Sequence, residues 1–342
     1  MAKPHYEAVA EAVWCIDTGL YRQGLAACYL LRGDAGGLAF IDTGTAHTVP
    51  LLLAVLAELG HGPEDVDYII PTHVHLDHAG GAGLLMQQCP PARLAIHPKG
   101  APHMIDPDRL TAGATAVYGE TDFAAAFGAL TPVREERVLV LEEGASLDLG
   151  GRTLSFLDTP GHANHHGCIY DPLTRSCFTG DTFGIAYREL WSSSGPYLFA
   201  PTTPVAFDPD AWQSSLDRLM ALEPRAMYLT HYGRLDCPET LVETLRRELE
   251  TEGFHVFDLK TARSRIRVPF LSRSEKVRSQ EFLLFNTQLR TLLRAGMPLA
   301  QSLDLLRRQQ INPHFRALLD KVHQQVTTGV ALSDAFLALG DV

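Results

Sequence analysis

A short stretch of the chain concentrates residues that bind metal ions. Residues 71–78 read P-T-H-V-H-L-D-H, so that His73, His75, Asp77 and His78 lie within six positions. Neutral imidazoles and carboxylates are ligands that suit zinc and other first-row metals. One ion takes about four ligands, and we expect a bend to turn the last two donors away from the first two. The stretch therefore predicts two ions side by side.

Similar residues follow three later strands of the predicted fold, namely His162, Asp181 and His231. Strands that each offer one ligand at the same sheet edge can build a metal site from distant parts of a sequence. The ligands that we expect are His73, His75 and His162 on one ion and Asp77, His78 and His231 on the other, with Asp181 bridging both. Two ions about 3.5–4 Å apart share a water, lower its pKa and hold the resulting hydroxide as a nucleophile.

The predicted elements place these residues on loops at strand ends. Residues 66–70 are apolar and β-branched, which indicates a buried strand, and residues 79–86 read as a turn that enters a helix. Residues 100–135 are less regular and suit a helical insertion near a substrate site. The predicted strands are 13–16, 26–32, 38–41, 66–70, 94–97, 138–141, 145–149, 153–157, 167–170, 176–179 and 226–230. The predicted helices are 49–59, one that ends near 88, 122–127 and 209–222.

The composition excludes several classes of function. The 342 residues carry a net charge of -11 and lysine is scarce, which is unlike a nucleic-acid-binding surface. No apolar run reaches the roughly 18 residues of a membrane span, and the N-terminus lacks the blocks of a signal peptide. The six cysteines show no C-x-x-C spacing. We expect a cytoplasmic protein with free thiols and a small-molecule substrate, without nucleic-acid binding or membrane insertion.

The motifs T-H-x-H-x-D-H, P-G-H, F-T-G-D-T and L-T-H-Y-G, in this order, resemble those of the metallo-β-lactamase-fold hydrolase superfamily. The resemblance covers roughly residues 10–235. It implies an α/β fold, a four-layer αββα sandwich with the site at the edge between the two sheets. It also implies that all seven candidate ligands bind two divalent ions, zinc first, with iron or manganese as alternatives.

Two further residues gain a role from this resemblance. Asp42, in I-D-T-G, matches a position that supports the ligand loop from behind. The run G-H-A-N-H-H resembles a motif of glyoxalase II-like enzymes, in which His166 would lie behind the ligands or beside the substrate. An ordinary structural or surface histidine is the alternative for His166.

The chemistry that we expect is hydrolysis of an ester-like bond, in a thioester, a lactone or a related compound. Asp77 would orient the hydroxide while it binds a metal, which makes it the candidate catalytic residue. The resemblance favours a thioesterase or lactonase of the hydroxyacylglutathione hydrolase type. The alternative is a di-iron protein that reduces or senses oxygen. We rank it below hydrolysis because such proteins usually carry a glutamate where this chain has His75.

The last third of the chain has a different pattern. Beyond about residue 238 the apolar residues follow helical spacing, and strand patterns nearly vanish. The run that begins E-F-L-L-F-N-T-Q-L-R resembles the first cytoplasmic domain of the platform proteins of type II secretion and type IV pili (the GspF/PilC family). We expect a hydrolase domain at 1–237, a connector at 238–274 and a small all-α helical bundle at 275–342. A third hypothesis follows, in which this bundle binds a secretion or pilus component.

Overall fold

The fold is taken from a computed structural model of the chain. It describes residues 4–188, 191, 195–196, 198–202, 207–236, 238–251, 285, 289, 299–310, 312–330 and 332–338. The chain divides into two compact units, Met1–Val256 and Phe257–Val342. Among the described residues, no helix is both long and apolar enough to cross a membrane.

The first sheet of the first unit has seven strands that neighbour one another in chain order. They are β1 Tyr6–Ala10, β2 Val13–Asp17, β3 Ala27–Arg32, β4 Leu38–Ile41, β5 Val66–Ile70, β6 Arg93–Ile96 and β7 Val138–Val140. The pairs from β1 to β4 are antiparallel, and the pairs from β4 to β7 are parallel. Strands β3 and β4 are buried on both faces, which explains their continuous apolar sequence.

The second sheet has six strands in the order β13-β12-β11-β10-β9-β8. They are β8 Ser146–Leu149, β9 Arg152–Asp158, β10 Gly167–Asp171, β11 Ser176–Gly180, β12 Ala226–Leu229 and β13 Gly233–Asp236. Only β11 and β12 pair in parallel; the other pairs are antiparallel. This parallel pair brings the ends of β11 and β12, which carry Asp181 and His231, to the same edge of the sheet.

Helices cover the outer face of each sheet. The helices of the first unit are α1 Val49–Glu58, α2 Leu76–Ala79, α3 Ala82–Gln88, α4 Ala101–Ile105, α5 Asp108–Tyr118, α6 Glu120–Phe127, α7 Pro209–Met220 and α8 Pro238–Thr251. One buried cluster joins α1 and α3 to the first sheet, and another joins α7 and α8 to the second. A third cluster lies between the sheets, where Tyr29 meets Phe178 with ring centroids 5.2 Å apart. The four-layer αββα sandwich predicted from the sequence is confirmed.

The second unit contains helices α9 Leu299–Gln309, α10 Pro313–Thr327 and α11 Leu332–Leu337. Asn312 caps α10 by accepting hydrogen bonds from the backbone N–H groups of His314 and Phe315. Phe285 and Phe315 pack in a buried cluster with ring centroids 5.4 Å apart. The helical nature of this segment agrees with the sequence.

Some elements differ from the sequence-based expectations. Strands β1 and β13 and helix α5 were not predicted, and the turn at 142–144 leads from β7 in one sheet to β8 in the other. Helix α8 occupies the first part of the predicted connector, most of which lies outside the described residues. The domain boundaries at 237 and 275 and the cytoplasmic location stay predictions.

Candidate metal centre

The cluster of donors predicted at residues 73–78 lies on the connection from β5 to α3. Strand β5 ends at Ile70, and His75 has extended backbone angles just before α2 begins at Leu76. The predicted bend is the start of this short helix, since the N–H group of His78 donates to the His75 carbonyl at 3.0 Å. The helix turns Asp77 and His78 in another direction from His73 and His75.

Three imidazoles converge on one side of the centre, and we call His73, His75 and His162 the first donor group. The Nε2 atom of His73 lies 2.8 Å from Nδ1 of His75. The same Nδ1 lies 3.2 Å from Nε2 of His162, although the two residues are 87 positions apart. Three ring nitrogens at such distances form a donor set that suits one divalent ion.

A second set of donors lies next to the first, and we call Asp77, His78 and His231 the second donor group. The Oδ2 atom of Asp77 lies 3.1 Å from Nε2 of His231 and 3.8 Å from Nε2 of His78. The Asp77 side chain is 28% exposed, whereas those of His78 and His231 are buried. Asp77 is therefore the member of this group that solvent reaches most readily.

Asp181 lies between the two donor groups. Its Oδ2 atom is 3.2 Å from Nε2 of His162, and its Oδ1 atom is 3.3 Å from Nε2 of His78. The His78 Nε2 and the Asp181 Oδ1 are buried, and neither has a hydrogen-bond partner in the part of the chain that the structure describes. Because buried polar atoms are rarely left without a partner, and because both atoms are metal ligands by chemistry, the residues fit a divalent ion.

The second ring nitrogen of three histidines is held by an acceptor. Nδ1 of His162 donates to the Pro201 carbonyl at 3.0 Å, and Nδ1 of His231 donates to the Leu25 carbonyl at 2.8 Å. A carbonyl oxygen can only accept, so the proton lies on Nδ1 and leaves Nε2 free to bind a metal. Nδ1 of His78 lies 2.7 Å from Oδ2 of Asp42 and is held in the same way.

Asp42 is buried behind residues 71–78 and joins two residues of that stretch to Thr230. Besides contacting His78, its carboxylate accepts from the Thr72 N–H at 2.7 Å and from the Thr230 hydroxyl at 2.7 Å. The Thr72 hydroxyl also donates to it at 3.0 Å. Since Thr72 and Thr230 directly precede His73 and His231, Asp42 fixes the backbone on both sides of the centre.

His166 is fully buried and lies next to the backbone of Asp181. Its Nδ1 atom lies 2.9 Å from the Thr159 hydroxyl and 3.1 Å from the Thr182 hydroxyl. Its Nε2 atom accepts from the Asp181 N–H at 3.3 Å. His166 is therefore not a surface histidine, and it contacts the backbone of the candidate ligand Asp181; its role behind the ligands stays a prediction.

The histidines of the first donor group are neutral near pH 7. Burial, followed by the effect of His162, lowers the pKa of His75 to about 3. Burial and the neighbouring imidazoles also hold the pKa of His73 well below its ordinary value, and burial lowers that of His162. Neutral imidazoles are the form that binds metal.

The two imidazoles of the second donor group have raised pKa values instead. Burial alone would lower the pKa of His78, but the carboxylates of Asp181 and Asp42 raise it well above its ordinary value. The pKa of His231 is raised too, since Asp181 and Asp77 outweigh the effect of burial. Burial opposes the ionisation of Asp77, yet His78 and His231 hold the pKa of that carboxyl below its usual range.

The sequence reasoning did not single out the groups that orient the donors. Thr72 and Thr230 had a signal, because each forms a T-H dipeptide with a candidate ligand. The carbonyls of Leu25 and Pro201 had none, because every residue carries a carbonyl group. The irregular region 100–135 supplies α5 and α6, and α6 places Phe123 and Phe127 against Leu76, the residue before Asp77. This buried apolar cluster packs the segment that precedes Asp77.

Two family models match the chain. That of the metallo-beta-lactamase superfamily matches residues 21–231. That of the type II secretion system protein F matches residues 285–342.

Among proteins similar to the first unit is ST1585, a metallo-beta-lactamase fold-containing protein of Sulfurisphaera tokodaii. It is 28% identical over 197 residues, which cover 56% of this chain and 70% of the relative. Its crystal structure superposes with a TM-score of 0.56 at 24% identity, over 80% of this chain and 92% of that chain. The acyl-coenzyme A thioesterase MBLAC2 of Gallus gallus is 27% identical over 188 residues, 52% of this chain and 64% of the relative.

The second unit is similar to the type IV pilus assembly protein PilC of Pseudomonas aeruginosa. The two are 34% identical over 68 residues, which cover 20% of this chain and 18% of PilC. The chain thus spans less than a fifth of this relative.

Proposed function

Because the chain belongs to the metallo-beta-lactamase superfamily, we propose that it is a metal-dependent hydrolase of an ester-like bond, with thioesters as the first substrate class and lactones as the second. The observation that carries this proposal is the convergence of the two donor groups on Asp181, with His78 Nε2 and Asp181 Oδ1 buried and, among the described residues, without a hydrogen-bond partner.

Each donor group has its own role in metal binding. The first donor group would hold one ion, the second donor group would hold the other, and Asp181 would face both. When bound, two such ions generate a hydroxide nucleophile near neutral pH and polarise the carbonyl that it attacks. Zinc suits this set of imidazoles and carboxylates, and iron and manganese are the alternatives.

Asp77 is the proposed catalytic residue. It is the partly exposed member of the second donor group, so that it can meet both an attacking water and a substrate. Its carboxylate is ionised at neutral pH, since His78 and His231 hold its pKa low. It can therefore accept a hydrogen bond from the water and orient it toward the substrate carbonyl.

One relative supports thioesters as the first substrate class. The cluster of Leu76, Phe123 and Phe127 is buried, so it packs the segment before Asp77 and does not itself form a substrate surface. The similarity to the acyl-coenzyme A thioesterase MBLAC2 favours thioester hydrolysis. A comparison of acyl-coenzyme A with hydroxyacylglutathione as substrates distinguishes the two thiol carriers.

The test combines metal analysis with a panel of substrates. We expect about two ions per chain after loading with zinc, and hydrolysis of an acyl-coenzyme A or hydroxyacylglutathione thioester rather than of a phosphodiester or β-lactam. Asp181→Ala and His78→Ala should each lower the rate at least about 100-fold, because removing a ligand costs more than removing the group behind it. The exposed Asp34→Ala, which removes the same charge elsewhere, should keep the wild-type rate.

Three results would contradict this proposal. They are fewer than two ions at saturating zinc, iron and manganese, wild-type rates in both ligand variants, and no hydrolysis of any thioester or lactone. Oxygen consumption by the iron-loaded protein, without hydrolysis, would support the di-iron alternative instead.

For the second unit we propose a contact with a component of a type IV pilus or type II secretion system. The match of the protein F family model to residues 285–342 favours this role over a purely structural one. The tagged full chain should retain a pilus or secretion protein that a chain ending at Val256 does not retain. Equal recovery with both chains, or recovery with neither, would refute the proposal.

A further inference from the structure

Another buried aspartate, Asp17, lies at the end of β2 and belongs to neither donor group. Its Oδ1 atom accepts from the Gly19 N–H at 2.8 Å, and its Oδ2 atom accepts from the Gly24 N–H at 2.6 Å. These two glycines lie near the two ends of the loop that joins β2 to β3. Both have left-handed backbone angles, with φ of 69° and 77°, which a glycine adopts without strain. The carboxylate therefore closes the loop at both ends.

This loop reaches the metal centre through Leu25, close to its end. The Leu25 carbonyl accepts from Nδ1 of His231 at 2.8 Å, and it directly follows the Gly24 that Asp17 holds. The Oδ2 atom of Asp17 also accepts from the Tyr232 hydroxyl at 3.2 Å. Asp17 thus contacts the loop that fixes the His231 ring and the residue that follows His231 in the chain.

The sequence around Asp17 repeats the sequence around Asp42. Residues 16–19 and 41–44 both read I-D-T-G, and the aspartates lie at the ends of β2 and β4. Asp42 contacts the ring of His78 directly, at 2.7 Å. Asp17 acts on His231 through a backbone carbonyl. Each copy of the motif supports one imidazole of the second donor group.

We propose that Asp17 is a positioning residue for His231, holding loop 18–25 and Tyr232 so that the Nε2 atom of His231 faces the second ion. The contacts on both sides of His231 distinguish this role from general support of the fold. The inference rests on the proposed two-ion centre, and it concerns the second ion only.

The variant Asp17→Asn tests this role at nearly constant volume. The asparagine side chain has an N–H₂ group in place of one carboxylate oxygen. This group cannot accept a hydrogen bond from the donors that contact that oxygen in wild type, so at least one hydrogen bond is lost. Asp34→Asn is the matched control, because it makes the same change at an exposed position between β3 and β4. Tyr232→Phe removes only the hydroxyl contact and serves as the second variant.

The measurement is titration of the metal-free full chain with zinc and with cobalt, followed by calorimetry and by the cobalt absorption spectrum. We expect Asp17→Asn to lower the affinity for the ion of the second donor group about 10–100-fold and to alter the cobalt spectrum of that equivalent. The affinity for the ion of the first donor group should stay within about threefold of wild type. Tyr232→Phe should lower the affinity for the ion of the second donor group by a smaller factor, about threefold to tenfold. Asp34→Asn should bind both ions with the affinities of wild type.

The inference is overturned if Asp17→Asn binds both ions as wild type does, or if the two affinities fall by the same factor. Should Asp17→Asn fail to fold, wild-type binding of the second ion by Tyr232→Phe would overturn it. A wild-type chain that binds fewer than two ions would instead refute the proposed centre, which keeps the two failures apart.

Discussion

At the scale of single residues, the two donor groups differ in charge before any ion binds. The first group is neutral, because burial lowers the pKa values of its imidazoles, that of His75 to about 3. In the second group the neighbouring carboxylates raise the pKa values of His78 and His231 despite burial. A raised pKa means that the proton stays bound to a higher pH, so in the metal-free protein these two rings keep their protons to a higher pH than the rings of the first group.

Metal binding should therefore release more protons from the second group than from the first. A metal ion needs the neutral ring and displaces the proton. We expect the zinc equivalent that fills the first group to release fewer protons than the equivalent that fills the second group, whose two rings can release up to about two. Calorimetric titration in two buffers of different ionisation enthalpy measures this release. As the pH rises above the raised pKa values the difference between the two equivalents should fall, because only the proton of a metal-bound water is then left to be released. Equal release for both equivalents at lower pH would contradict the prediction.

At the scale of elements, close packing behind the ligand loop limits which residues can begin helix α3. A β-carbon added to Gly83 would lie 1.7 Å from the Thr131 carbonyl oxygen. Either the helix or the backbone at Thr131 would therefore have to move. We expect Gly83→Ala to destabilise the fold by about 1–3 kcal/mol, as overpacking typically does. Urea unfolding measures the difference.

Gly113 is the matched control, because it lies in helix α5 with nothing within 4 Å of an added β-carbon. There the change to alanine should stabilise the protein by about 0.5–1 kcal/mol, since glycine is a poor residue inside a helix. A Gly83→Ala variant as stable as Gly113→Ala would show that the loop and α3 adapt freely.

The elements that could be predicted from the sequence are those with a regular apolar pattern. Strands β3, β4 and β5 are buried and read as apolar runs, so they were placed correctly. Helix α5 has no fully buried residue, and its apolar face is short and only partly buried (Leu110, Ala114 and Tyr118), which makes its pattern weak. Strand β13 has the sequence G-R-L-D, which carries little strand propensity, and it forms by pairing with β12. The pairing is a hairpin with β12, only three residues away in the chain, but the residues of β13 themselves carry no alternation that would indicate a strand.

The metal centre divides in the same way between what is local and what is distant. The seven donors could be proposed because each has a metal-binding side chain at the end of a predicted strand. The supporting carbonyls of Leu25 and Pro201, 206 and 39 residues from the histidines that they hold, could not. Asp17 was missed although it repeats the motif of Asp42, because only the folded chain shows that its loop reaches His231.

At the scale of the whole molecule, each compact unit has its own buried apolar cluster. The clusters around the two sheets are formed by residues up to Leu245. The cluster of the second unit is formed by residues from Phe285 to Ala335. All seven donors, and the groups described above that hold them, lie in Met1–Val256. A unit with its own core can in principle fold alone.

A chain that ends at Val256 should therefore keep its metal centre. We expect it to bind two ions, to hydrolyse its substrate at the rate of the full chain, and to melt within about 3 °C of it, a shift that corresponds to roughly 1 kcal/mol for a unit of this size. Calorimetry, metal analysis and the thioester assay measure the three properties side by side. Loss of an ion or a much lower melting temperature would show that the second unit stabilises the first. Unchanged values, combined with loss of the pilus or secretion partner, would assign hydrolysis and partner binding to different parts of one chain.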